Sequence, residues 1–223
     1  LLSRRQRQMC IRDSHIAEKV IALDINRGPL ERARMHIVGH GLKEKIETRL
    51  SDGLEKVLPG EVDTMIAAGM GGGLVIKILM EGRTVADALD TMILQPQSEV
   101  SKVREYVRNT GYKIVDEDMI LEDGKYYPMF RCVPCADNSA WDNMDETTVT
   151  VCDLYGPVLI KNGNPVLRKF LVREHHKLAA IMQQLRTQEM SDSIMDRIEQ
   201  INEMMAYNEA AYSTMGAIRN AGI

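Results

Sequence analysis

Short apolar runs alternate with amphipathic stretches over the first half of the chain, and the spacing of the apolar positions separates strands from helices. Lys19 to Asp24 is an apolar run that ends on an acid, the pattern of a buried parallel strand. Gly28-Pro29 interrupts it, and Pro29 suits the first turn of a helix that reaches His40, with Gly41 placed to close it. Ile46 to Leu50 predicts a second strand, Leu54 to Leu58 a short helical piece, and Val62 to Ala68 a third strand. A helix from Leu74 to about Met80 follows, then a fourth strand from Thr91 to Leu94 and a helix from Ser98, a suitable N-cap, to Asn109.

The pattern then changes. Tyr112 to Leu121 and Lys125 to Val133 are extended runs on either side of Glu122-Asp123-Gly124, which predicts a hairpin. Strands alternating with helices and closing on a hairpin describe a doubly wound α/β sheet with an antiparallel edge. Residues 136–160 are polar and mixed and read as a connection. Beyond Asn164, the positions Leu167, Leu171, Leu178, Ile181 and Leu185 keep a helical seam, interrupted at Glu174. Ile194, Ile198, Ile201, Met205 and Tyr212 keep another, and the polar stretch Arg186 to Ser193 divides the two. The tail is therefore expected to be a helical hairpin with a coiled-coil seam. Two helices bury too little to stand alone, so they must lean on the main domain or on a partner. The expected division is residues 15–160 as the α/β domain and 161–223 as the helical tail.

Composition narrows the picture mainly by exclusion. At 223 residues, with 44% apolar and 27% charged residues, the chain fits one sizeable globular domain with an appendage. Aromatic residues are only 4% and the formal charge is −4, so neither a base-stacking sheet nor global attraction marks a nucleic-acid binder. RNA contact would have to come from a local basic face. No apolar run reaches the roughly 18 residues of a membrane span. Cys132 and Cys135 form half a zinc site with no second pair to complete it, so no metal is expected and the thiols read as reduced and cytoplasmic.

Three features carry chemistry. Asp24, at the end of the first strand, stands where nucleoside-binding α/β folds place a carboxylate against the ribose hydroxyls. Asp52-Gly53 follows the next strand, where a carboxylate could accept an adenine amine; an ordinary turn is the plainer reading. Ala67-Ala-Gly69-Met70-Gly71-Gly72-Gly73 joins the third strand to a helix. Its glycines allow close approach of a ligand to the main chain. No Gly-Lys-Ser/Thr follows and the spacing is not that of a dinucleotide fingerprint, so phosphate cradling is excluded.

Taken in order, Ala22-Leu-Asp24, Asp52-Gly53-Leu-Glu55, Ile66-Ala-Ala-Gly69-Met70-Gly71-Gly72 and Leu94-Gln95-Pro96 resemble the TrmK family of bacterial tRNA adenine-22 N1-methyltransferases. Glu122-Asp-Gly-Lys-Tyr-Tyr127 and Tyr155-Gly156-Pro157 extend the resemblance over roughly residues 15–220. It implies a Rossmann-like class I methyltransferase sheet, S-adenosyl-L-methionine as cofactor, tRNA as partner, a cytoplasmic location, a monomer and a coiled-coil tail that helps hold the RNA. By the resemblance, Asp24 would bind the cofactor ribose and Asp52-Gly53 its adenine. Gly69, Met70 and Gly71 would line the space between methyl donor and target base, with Gly71 and Gly72 in the substrate pocket. Lys161, Arg168, Lys169, Arg173 and Lys177 bias the start of the first tail helix toward positive charge and are the expected phosphate contacts, although acids interleave and a solvated face explains them equally.

The family opens with a strand and an Asp-x-Gly-Ser/Thr-Asp-His-x-Tyr-Leu-Pro loop around the methionine part of the cofactor, and residues 1–20 show nothing that matches it. Residues 1–14 resemble translated adaptor sequence and are set aside as foreign to the fold. The first strand of the sheet is thus expected to be missing, and the chain as written to hold the cofactor weakly. Two other functions stay open: a methyltransferase of another substrate on the same fold, and a non-catalytic RNA-binding or adaptor protein.

Overall fold

The computed structural model describes residues 17–136, 139–142 and 144–220, so the segment 1–14 and His15 lie outside the described residues. The chain divides into two units, one ending at Glu99 and the other beginning at Val100.

In the first unit, β1 (Val20–Asp24) runs parallel to β2 (Ile46–Leu50), with Val20 opposite Ile46 and Asp24 opposite Leu50. The crossover is α1 (Arg27–Gly39), whose buried Ala33 and Ile37 pack on Ala22 and Ile46. A second parallel pair follows: β3 (Thr64–Met70) and β4 (Thr91–Pro96), connected through α2 (Gly72–Glu81) and α3 (Arg83–Ala86). Val75, Leu79, Val85, Ala86, Leu89, Met92 and Leu94 are buried in this unit. Parallel strands bring their carboxyl ends to one edge, which is where open α/β sheets bind ligands.

Three local expectations are corrected here. Residues 54–58 are not a helix: 54–56 form a turn and 57–58 have no regular structure. The Ser51 hydroxyl donates to the carbonyl of Gly53 and accepts the N–H of Lys56, so a side chain organises the segment in place of helical bonds. Strand β3 also runs two residues further than expected and takes in Gly69 and Met70, while α2 starts at Gly72 rather than Leu74. Ser98 is not an N-cap, because the next helix begins at Val100 and Glu99 takes a left-handed φ of 50° before it.

The second unit starts with that helix, α4 (Val100–Asn109), and continues into the hairpin β5 (Tyr112–Glu122) and β6 (Lys125–Pro134). Glu122 pairs with Lys125, leaving Asp123 and Gly124 as a two-residue loop with φ of 50° and 73°. Positive φ at both positions matches the right-handed twist of the flanking strands. Residues 136–160, expected to be a connection, are largely helical: α5 (Ser139–Asp142), α6 (Glu146–Tyr155) and α7 (Pro157–Lys161). The run Thr147-Thr-Val-Thr-Val151 is β-branched and gives little helical signal. The helix is held instead by its N-cap, the Asp145 carboxylate accepting the N–H and hydroxyl of Thr148, and by burial of Val151 and Tyr155.

The tail forms the expected pair of helices, α8 (Pro165–Leu185) and α9 (Asp192–Asn220). Its distal seam packs Leu178, Met182 and Ile201 with Ile198 and Met205. Its base is joined to the rest of the unit, where Leu167, Leu171, Ala211 and Met215 share one cluster with Met119 of β5, Val151, Tyr155, Leu159 and Ile160. The hairpin thus gains the support that two helices cannot supply for themselves.

Candidate active site

Asp24, Asp52 and the glycine segment each lie at or just past the carboxyl end of a strand in the first unit. Asp24 and Asp52 stand at neighbouring strand ends, because the N–H of Ser51 donates to the Asp24 carbonyl at 3.0 Å. The Asp24 carboxylate accepts the N–H of Asn26 at 2.8 Å, a local turn that orients it. Asp52 is exposed and lies 3.5 Å from the Lys77 ammonium on α2, which in turn approaches Glu81 at 3.7 Å. Pairs this exposed contribute at most about 1 kcal/mol, so a ligand could displace Lys77 at little cost. The Asp52-Gly53 turn rests on α2: a Cβ on Gly53 would come within 3.0 Å of the Ile78 side chain.

The glycine segment is built by two strand ends tied together. Ala68 faces Gln95 and Met70 faces Pro96, so Gly69 is an extra residue, a bulge in a parallel ladder. Its φ of 77° is left-handed, which favours glycine. Its N–H donates to Gln95 Oε1 at 3.0 Å. Around it, the N–H of Gln97 donates to the Met70 carbonyl at 2.9 Å and that of Gly72 to the Ser98 carbonyl at 3.0 Å. The N–H of Gly73 donates to Glu99 Oε2 at 3.2 Å, so a carboxylate from the neighbouring loop caps the start of α2. Gly71 has an ordinary extended conformation, with φ −65° and ψ 148°. Its requirement is space, since a Cβ would stand 3.2 Å from the Ser98 hydroxyl.

Sequence reasoning missed Lys77, Ser98 and Glu99, and no motif marks them. Gln95 was part of a quoted motif but had no role. The basic residues proposed for RNA lie in the second unit, and two of them are engaged. Arg168 stacks over the Tyr212 ring at 4.9 Å, and Arg173 donates to the Gly124 carbonyl at 2.7 Å and stacks over Tyr126 at 5.6 Å. Lys161, Lys169 and Lys177 are exposed. The Cys132 thiol is buried on β6, and burial, reinforced by the Glu117 carboxylate, pushes its pKa up to about 12. No helix among the described residues is long and apolar enough to cross a membrane.

Could an adenosine-containing ligand fit? Two carboxylates on adjacent strand ends supply acceptors for a ribose diol and an exocyclic amine. A bulged glycine turn beside them leaves the main chain open to close approach. Those features, on parallel strand pairs followed along the chain by an antiparallel hairpin, define a Rossmann-like α/β protein of the class I methyltransferase type. The chain belongs to the TrmK family, tRNA (adenine(22)-N(1))-methyltransferase, whose sequence model matches residues 9–209. It is 30% identical over 199 residues to the tRNA (adenine(22)-N(1))-methyltransferase of Bacillus subtilis strain 168, spanning 86% of this chain and 82% of that one. The crystal structure of the B. subtilis enzyme superposes with a TM-score of 0.78 at 28% identity, over 93% of this chain and 87% of that one. A candidate tRNA (m1A22) methyltransferase of Streptococcus pneumoniae, crystallised with S-adenosyl-L-methionine, superposes at 0.70 with 27% identity, over 89% and 87% of the two chains.

Proposed function

We propose that the chain binds S-adenosyl-L-methionine at the carboxyl edge of its first unit and methylates N1 of adenine 22 in tRNA. The observation that carries this reading is the adjacency of Asp24 and Asp52 at neighbouring strand ends, in a chain whose family is that methyltransferase.

Asp24 accepts the ribose hydroxyls and Asp52, with the Gly53 backbone, the adenine amine of the cofactor. Gly69, Met70 and Gly71 line the space between methyl donor and target base, and Gly71 and Gly72 leave room for the base. The cofactor supplies a methyl group already activated on a sulfonium. The protein's part is alignment and exclusion of water, for which no nucleophile or metal is required. With the cofactor bound, adenine N1 would take the methyl as its bond to sulfur breaks, and the positive charge would pass from the departing sulfur to the adenine ring. N1 faces the partner base in a helix, so the target must be unpaired or turned out before it can reach the glycine turn. Exposed Lys161, Lys169 and Lys177 are the preferred phosphate contacts. Arg168 and Arg173 contribute less, because each already stacks on a tyrosine. The protein acts in the cytoplasm as a monomer.

Calorimetry tests the cofactor site. Replacing Asp24 with Ala removes a charge-assisted contact worth about 1.5–3 kcal/mol. The expected result is a tenfold or greater loss of S-adenosylmethionine affinity relative to the unaltered chain, with the melting temperature little changed. Equal affinity would return Asp24 to the role of a solvated strand end.

A further inference from the structure

The bulge at Gly69 leaves a backbone amide without a ladder partner at the point where strand gives way to helix. A parallel ladder seldom accepts an extra residue, and bulges cluster beside active sites because they re-aim the chain. Here the missing bond is replaced by a side chain. Gln95, opposite Ala68 in the register, turns its Oε1 to the Gly69 N–H at 3.0 Å. The flanking bonds, Gln97 N–H to Met70 and Gly72 N–H to Ser98, are made by the main chain. At Gly69 itself the hold can therefore be removed by substitution alone.

Gln95 also carries a cost. Its Nε2 is buried and has no hydrogen-bond partner among the described residues. A buried amide donor left unmet lowers stability, whereas a methionine of similar length would avoid the penalty. A carboxamide at this half-buried position thus leaves one donor unmet while its oxygen clamps the turn.

We propose that Gln95 is a positioning residue for methyl transfer, its Oε1 fixing the bulged Gly69 and, through it, the Met70-Gly71 backbone in the conformation that receives the target adenine. This rests on the function proposed above. Gln95 acts on the base only through the turn, so its loss should slow transfer without weakening the cofactor contacts at Asp24 and Asp52.

The test compares the unaltered chain with Gln95→Met, which removes the clamp at similar volume, and Gln95→Glu, which keeps an oxygen facing the Gly69 N–H. In Gln95→Met, kcat on tRNA should fall about 10- to 100-fold, the range that misplacing reacting groups by an ångström produces. Cofactor affinity should stay within about twofold, and Gly69 amide hydrogen exchange should quicken about tenfold, as expected for one lost hydrogen bond. Gln95→Glu should restore the exchange protection and bring kcat back to within about threefold, because a single hydrogen bond is what separates the two variants. Unchanged kcat in Gln95→Met, a parallel fall in kcat, cofactor affinity and melting temperature, or no rescue by Glu would each overturn the proposal. Should the unaltered chain methylate no tRNA, the functional reading fails instead, and slower Gly69 exchange in the unaltered chain than in Gln95→Met would still uphold the clamp.

Discussion

Gly69 and Gly71 stand two residues apart and answer to different constraints. Gly69 needs a left-handed backbone, whereas Gly71 needs room beside Ser98. Run together in the sequence, the glycines suggest a single loop, and nothing in the string tells positive φ from close approach. The register and the Ser98 contact do. Valine at Gly71 meets no backbone strain, since φ −65° and ψ 148° is extended backbone open to any residue. Its branches would instead crowd the Ser98 hydroxyl and the space assigned to the target base. Gly71→Val is therefore expected to lose methyl transfer while cofactor affinity, which the proposed function assigns to Asp24 and Asp52, moves less than about threefold, under 1 kcal/mol. Full transfer activity in this variant would show that the turn does not face the base.

At the scale of elements, the corner between α6 and α7 shows why a stretch read as a connection folds as helix. Arg104 on α4 is 1% exposed and Glu117 on β5 is fully buried, their Nε and Oε1 2.9 Å apart. Arg104 Nη1 donates to the carbonyls of Asp153 and Leu154 at the end of α6, at 3.0 and 3.1 Å. Glu117 Oε2 accepts the N–H groups of Val158 and Leu159 at the start of α7, at 2.8 and 3.3 Å. Cation at a helix C-terminus and anion at an N-terminus is the favourable arrangement for both dipoles. Gly156 lies between them at φ 93°, and a Cβ there would fall 2.7 Å from both Glu117 oxygens. The buried pair explains the glycine of the Tyr155-Gly156-Pro157 motif, while the Tyr155 hydroxyl donates to Glu174 at 2.7 Å. Arg104→Met strands the Glu117 charge and should cost about 3–5 kcal/mol in urea unfolding. Adding Glu117→Gln should recover part of that loss. A double variant no more stable than the single one would mean that Arg104 acts by packing on Phe130, which its guanidinium overlies at 5.4 Å, rather than by charge. The hairpin and the two tail helices were legible because their signals are local: a turn pair, and an apolar seam at helical spacing. Helix α6 was not, since its β-branched run is overruled by a cap and by burial that only the folded unit supplies.

For the molecule as a whole, the class of fold and the place of two acids after the first two strands could be read from order and spacing, and the family match agrees with the fold. What sequence could not supply was how the two strand-end loops bind each other, because the bonds that the glycine turn donates to Gln95, Ser98 and Glu99 link residues 26 apart in the chain. Substrate choice also belongs to this scale, since the same fold serves many acceptors. The decisive measurement is therefore of product. The chain is incubated with millimolar S-adenosylmethionine and a tRNA carrying adenine at position 22, beside the same tRNA with guanine there, and methylated nucleosides are mapped by mass spectrometry. One methyl on N1 of adenine 22, and none in the guanine variant, is the expected result. Methylation at another position, or none from a folded chain that binds the cofactor, would contradict the function proposed.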